Sequence, residues 1–288
     1  MARRKNNKLT LTGAVIVIAV GLVFKLVDQQ YNLSGTQSSN TNYATTTQVV
    51  KQTGIDYGSV EDTHPTETLA SSVLTANVKK QLKTDSIKFN GAGAFVLAND
   101  KNNLNAKVTS APYVQLSQQD QLRRPGVANA WLTKAARQYQ NRTETGNDAK
   151  IYPVGWEQLT IGGRYSQLYN RGHSIGYAIA GNIKSFDASE ANYQNITTQT
   201  AWANQASNGD ANNTGQNYYE NLVRKALDNN QKVRYRVTPL YDGNNLVPSG
   251  SKMEAKSADG SLQFSVFVPN VEPGVVINYA TGSAKLSN

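Results

Sequence analysis

The chain has 288 residues, 39% hydrophobic and 17% charged, which is a polar but foldable balance with room for one large core or two ordinary ones. It has no cysteine and only two histidines, His64 and His173. This excludes a disulfide framework and any tetrahedral zinc site of the Cys or Cys/His type, so a metal must be held mainly by oxygen. Of 29 basic and 20 acidic residues, five basic and no acidic ones fall in the first 27 positions, so the rest carries 24 against 20 and is only mildly basic.

Arg3, Arg4, Lys5 and Lys8 flank Gly13 to Phe24, a run without a polar side chain that extends to Leu9 and Val27 if Thr10, Thr12 and a snorkelling Lys25 are accepted. No small-x-small site follows soon afterwards. The pattern predicts a signal anchor over 1–30 that ties the chain to the membrane and leaves everything beyond it outside the cell. The alternative is a cleaved signal peptide and a secreted protein. Residues 31–65 are rich in Ser, Thr and Asn, too polar to offset their ordering entropy, and read as a disordered tether with His64 as a solvated linker residue.

The folded part is expected to start at Thr66, which can cap a helix carrying Leu69, Val73, Leu74, Val78 and Leu82 at helical spacing. Ala94 to Leu97 reads as a short buried strand, and Val127 to Tyr139 as a helix stopped by NRTETGN. Between Tyr152 and Tyr169, Trp156, Leu159 and Tyr165 are expected to pack a core. Thr214 to Asn230 is a capped amphipathic helix leading into Lys232–Tyr241, where Val233, Tyr235 and Val237 alternate with Arg234, Arg236 and Thr238 as in a half-buried strand. Lys252–Lys256 and Leu262–Val268 flank Asp259-Gly260, a hairpin signal. Strands and helices without regular βαβ spacing indicate an α+β fold with a mainly antiparallel central sheet flanked by helices.

The chemistry concentrates between Asn170 and Glu220. Asn170-Arg171-Gly172-His173 places an arginine two residues before the one histidine outside the tether. Asn204 lies in a run of amides around Trp202, and Glu220 in the capped helix. Amide and carboxylate oxygens suit Mg²⁺, which keeps several waters and needs few protein ligands. A histidine base, such a cation and arginines for anionic oxygens meet the needs of phosphodiester hydrolysis. Each piece also has a structural reading: a packing histidine, a loop amide, a solvated glutamate. Trp202 and Tyr218 read as packing residues.

NRGHSIGYAIAG at 170–181, ASEANYQNI at 188–196, TQTAWANQA at 198–206 and TGQNYYENLVRKALD at 214–228 resemble the DNA/RNA non-specific endonucleases. These belong to the ββα-metal superfamily with its Asp-Arg-Gly-His signature, and the likeness is greatest to the membrane-attached streptococcal nucleases of DNA uptake. LNAKV, RQYQNRTETGN and VRYRVTPLY extend the resemblance over roughly 66–280 and make 66–288 the nuclease domain. The resemblance implies a ββα-metal motif in which His173 is the general base and Asn204 the single direct protein ligand of Mg²⁺. It implies that Asn195 and Glu220 position metal-bound waters, with Arg171 as the signature arginine. Asn170 departs from the family aspartate: it keeps an acceptor oxygen but loses the charge. The implied substrate is DNA, and RNA as well, contacted through backbone phosphates by Arg171, Arg234, Arg236, Arg224 and Lys225 without strong sequence preference. The alternatives are a catalytically weak surface receptor for DNA and a wall-associated adhesin. No protein partner can be inferred.

Overall fold

The computed structural model describes residues 54–208 and 211–287. The anchor expected over 1–30 and most of the tether lie outside the described residues, among which no helix is long and apolar enough to cross a membrane.

Seven antiparallel strands form the main sheet: β1 (Ile87–Phe89), β2 (Phe95–Leu97), β3 (Tyr113–Leu116), β4 (Ala128–Leu132), β7 (Val233–Leu240), β8 (Gly250–Ser257) and β9 (Gln263–Pro269). Their order is β1-β2-β9-β8-β7-β4-β3. A separate two-stranded ribbon pairs β5 (Tyr169–His173) with β6 (Ile196–Thr200). A second small ribbon pairs β10 (Val275–Ile277) with β11 (Ala284–Leu286). The helices are α1 (Glu67–Ser71), α2 (Ala76–Leu82), α3 (Tyr177–Ala180), α4 (Ala201–Gln205) and α5 (Gln216–Asp228). The α+β class with a mainly antiparallel sheet is as expected.

Local pattern explains several elements directly. The β8–β9 hairpin closes over Asp259, whose carboxylate accepts from Ser257 Oγ (2.6 Å) and Ser261 N (3.1 Å) and is held well below the usual carboxylate range by these bonds. Along β7, Val233, Tyr235 and Val237 are buried while the residues between them are only half-buried. The buried side of the sheet packs against Tyr219, Val223 and Leu227 of α5, and Trp202 joins the same core. Trp156, Leu159 and Tyr165 pack at the edge of a smaller cluster formed by Ile161, Leu168, Tyr169 and Val275.

Three expectations need correction. Residues 127–139 are not a helix: Ala128, Ala130 and Leu132 enter the core from β4, followed by a single 3₁₀ turn at Lys134–Ala136. Pairing with both β3 and β7 overrides the helical preference of alanine, because an interior strand gains two ladders of hydrogen bonds. The first helix is two short ones, because Thr75 starts a second cap by accepting from Val78 N at 3.3 Å. The folded unit also begins before residue 66. Tyr57 packs on the main core, Val60 O accepts from Arg164 N (3.0 Å), and Thr63 O accepts from Trp202 Nε1 (3.1 Å). Residues 54–65 are therefore part of the domain, and His64 is half-buried with Nδ1 bonded to Thr63 Oγ1 at 3.0 Å.

Gly93 lies at φ +107°, and a Cβ there would run into the Trp202 ring. Backbone and packing both require glycine. Gly93→Ala is expected to lower stability by about 1–3 kcal/mol, seen as an earlier urea unfolding midpoint; an unchanged midpoint would refute the packing described.

Candidate active site

The β5–β6 ribbon runs in register from Tyr169↔Thr200 to His173↔Ile196, and β6 passes straight into α4. Two strands and a helix thus form one ββα unit. Gly172 separates Arg171 from His173 because a Cβ at that position would overlap the Gln199 side chain on the neighbouring strand.

The start of α4 is fixed by the chain that follows β9. Asn270 Oδ1 accepts from Thr200 N (2.7 Å), Thr200 Oγ1 donates to Val271 O (2.7 Å), and Glu272 Oε2 accepts from Trp202 N (2.8 Å). Thr200 Oγ1 also caps the helix by accepting from Ala203 N at 3.1 Å. Burial pushes the Glu272 carboxyl up to about 8.

The unit brings together three of the expected residues. His173, Asn204 and Glu220 line one open cavity of about 450 Å³, together with Arg142, Tyr177 and Arg224. His173 Nε2 lies 3.1 Å from an Arg142 terminal nitrogen. A guanidinium only donates, so Nε2 carries the lone pair. Burial, and then the Arg142 charge, push the imidazole down to about 3, with hydrogen bonding to the backbone of Ala188, Ser189 and Arg171 acting in the opposite direction. The ring is therefore neutral at pH 7, the state a proton acceptor needs.

Glu220 is buried and accepts from Gln216 Nε2 at 2.9 Å. Burial raises its carboxyl above the ordinary value, against the lowering influence of Gln216, Arg224 and Arg142. Arg224 is braced by Asn221 Oδ1 (2.9 Å from Nε) and Asn217 Oδ1 (2.6 Å). Asn204 is half-buried, and none of the hydrogen bonds among the described residues engages its carboxamide, so its oxygen is uncommitted. No group of three or more His, Cys, Asp or Glu side chains suited to a metal exists among the described residues. The donors at hand, an amide oxygen with a carboxylate nearby, fit a hard, largely hydrated cation and not a soft one.

The other expected residues are placed differently. Asn195 is buried, and its amide is consumed by Ile175, accepting from N (2.9 Å) and donating to O (3.0 Å). It braces the turn after His173 and does not line the cavity. Asn170 lies on the ribbon with its Nδ2 buried and without a hydrogen-bond partner. Arg171 turns toward Tyr152 and Trp156, and Lys225 is exposed away from the cavity. Arg234 and Arg236 occupy the sheet face opposite the one that packs on α5, because residues of a strand alternate in direction. There Arg236 pairs with Glu254 (2.8 Å), and Arg234 donates to Ala130 O (2.9 Å). The sequence reading missed Arg142 and Gln216. Arg142 sits in an aperiodic loop, where it donates to Ala188 O (2.6 Å) and stacks 4.4 Å over Tyr177; no pattern in the chain marks it out.

The model of the DNA/RNA non-specific endonuclease family matches residues 93–286. The chain belongs to this family. It is similar to NucA from Streptococcus agalactiae, in a crystal structure with magnesium bound, at 43% identity over 76% of this chain and 100% of that one, with a TM-score of 0.66. The metal-free crystal structure of the same NucA matches at 43% identity over 75% of this chain and 100% of that one, again with a TM-score of 0.66. This endonuclease thus has the ββα-metal fold; it is a phosphodiester hydrolase that binds nucleic acid and depends on a divalent metal.

Arg142→Ala removes a positive charge from beside the imidazole and opens it to water, and both changes raise the His173 pKa toward 6.5. The acid limb of the kcat/KM profile for DNA cleavage, which reports the free enzyme, is therefore expected to move to higher pH. A limb that stays in place would mean that another group sets it.

Proposed function

We propose that this endonuclease uses Mg²⁺ to cleave DNA and RNA without sequence preference, outside the cell, with the basic and apolar segment at 1–30 as its membrane anchor. The observation that carries the reading is the meeting of a neutral His173, an uncommitted Asn204 amide and a buried Glu220 at one cavity. The magnesium in the Streptococcus agalactiae NucA crystals supports the choice of metal. The placement of Arg142 and Arg224 supports recognition through phosphate, which DNA and RNA share.

Asn204 would hold the cation, with Glu220 orienting its waters. A divalent cation supplies Lewis acidity to the phosphate oxygens and offsets their growing charge. His173 Nε2 accepts a proton from the attacking water, whose oxygen forms the new bond to phosphorus as the bond to the 3′ oxygen breaks; the departing 3′ oxygen takes up a proton from solvent water, leaving a 3′-hydroxyl and a 5′-phosphate. Arg142, already beside Nε2, is placed to shift toward a phosphate oxygen when substrate enters, releasing the lone pair for the water. Arg224 adds a second donor from α5.

His173→Ala is expected to slow plasmid cleavage by about 10²–10⁴-fold while leaving DNA binding close to wild type. Asn204→Ala is expected to be harsher than Glu220→Ala, whose effect through water is about 10–100-fold, and EDTA is expected to stop cleavage. Plasmid cut by His173→Ala at the wild-type rate would remove the base assignment, and DNA bound but left uncut by the wild type with Mg²⁺ would favour the receptor reading.

A further inference from the structure

Two tyrosines stand in solvent: Tyr152 is 74% exposed and Tyr193 58%. Both line one hollow of about 290 Å³ whose remaining wall includes Ile151, Val154 and Ile196, with Arg123 also lining it. One of its lining residues, Ile196, is directly opposite His173 in the β5–β6 ladder.

Tyr152 is held in its exposed position. The Arg171 guanidinium stacks over the Tyr152 ring at 5.0 Å and over Trp156 at 4.8 Å, and Arg171 Nε donates to Ile151 O. The Tyr152 and Trp156 rings meet edge to face with centroids 6.0 Å apart. Arg171 is two residues before His173 on the same strand face, about 7 Å along the strand. Gln119 Nε2 bonds both Tyr193 O (2.9 Å) and Arg123 O (2.7 Å), tying the second tyrosine to the arginine. Among the described residues, no hydrogen bond or ion pair occupies the exposed Arg123 guanidinium. Exposed rings around an apolar floor, with unpaired positive charge at the side, complement a flat heteroaromatic group attached to a phosphate.

We propose that this hollow is a nucleobase subsite, in which Tyr152 and Tyr193 stack on an unpaired base next to the scissile phosphate and Arg123 meets a neighbouring phosphate. The proposal rests on the endonuclease reading and deepens it. Bases in a duplex keep their faces inside the stack and reach the enzyme only through the backbone, so the subsite acts on single-stranded DNA or RNA and on frayed or looped segments. It gives the enzyme tighter binding of unpaired substrate without base identity, since every base has a π-face.

The test uses the full chain and compares a mixed-sequence single-stranded oligonucleotide with its duplex. Tyr152→Ala and Tyr193→Ala are each expected to raise KM for the single strand about tenfold, at least five times more than for the duplex, and Tyr193→Trp is expected to restore it. In a His173→Ala background, an oligonucleotide carrying 2-aminopurine should show fluorescence quenching on binding that Tyr193→Ala removes; Arg171 stacks on Tyr152 and Trp156 and, among the described residues, makes no hydrogen bond or ring contact with Tyr193, so this arm reads the hollow. Equal KM changes on both substrates, or quenching that survives both alanine variants, would overturn the subsite while leaving the endonuclease assignment standing. A wild-type chain that cuts neither substrate with Mg²⁺ would instead overturn the underlying reading.

Discussion

The active site depends on the hydrogen bonds that pin the first turn of α4 to the segment leaving β9. A five-residue helix has no stability of its own, so the direction of Asn204 is decided by what holds residues 200–203. Asn270, Val271 and Glu272 do so from the segment just after β9 of the main sheet, and Trp202 fills the core beneath. The ribbon that carries His173 and the sheet that supports α5 are thereby joined in one rigid arrangement. Because these bonds are buried, losing one leaves an unpaired polar group in the core, which costs about 1–3 kcal/mol.

Two ionisable groups in this arrangement act on stability with opposite sign. Glu272 titrates at about 8 against an ordinary 4.5, so its contribution is complete below 4.5 and is lost as the pH rises through 8, when a charge must appear in the core. His173 titrates at about 3 against 6.5. The unfolded chain takes up a proton that the native ring refuses, so this contribution is full above 6.5 and falls as the pH drops toward 3. The same burial that makes His173 costly in acid keeps its imidazole neutral at pH 7, and the arginine that lowers its pKa lines the same cavity.

Elements written in local pattern were legible in the sequence. The alternation of Val233, Tyr235 and Val237, the helix ending at Asp228, and the turn at Asp259-Gly260 each need only neighbours along the chain. Residues 128–132 were not legible, because ANAWL is as helical as it is extended until β3 and β7 lie on either side. For the candidate site, the family motif picked out His173, Asn204 and Glu220, which line one cavity, whereas it did not pick out Arg142, since a loop arginine meets the histidine only when the fold brings the two together. Arg234 and Arg236 show the complementary limit. Their shared direction was readable from alternation, but which side of the sheet faces the active site is decided by where α5 packs. Asn195 followed the motif in position, yet the structure spends both ends of its amide on Ile175.

The central claim is that one hard cation sits at Asn204 within water's reach of Glu220 and His173. The most direct measurement is an anomalous difference map from crystals of the enzyme soaked in Mn²⁺, a substitute for Mg²⁺ that scatters strongly. The account requires a single strong peak in direct contact with Asn204 Oδ1, with waters linking it to Glu220. A peak elsewhere, or one bound directly by His173 and not by Asn204, would contradict it.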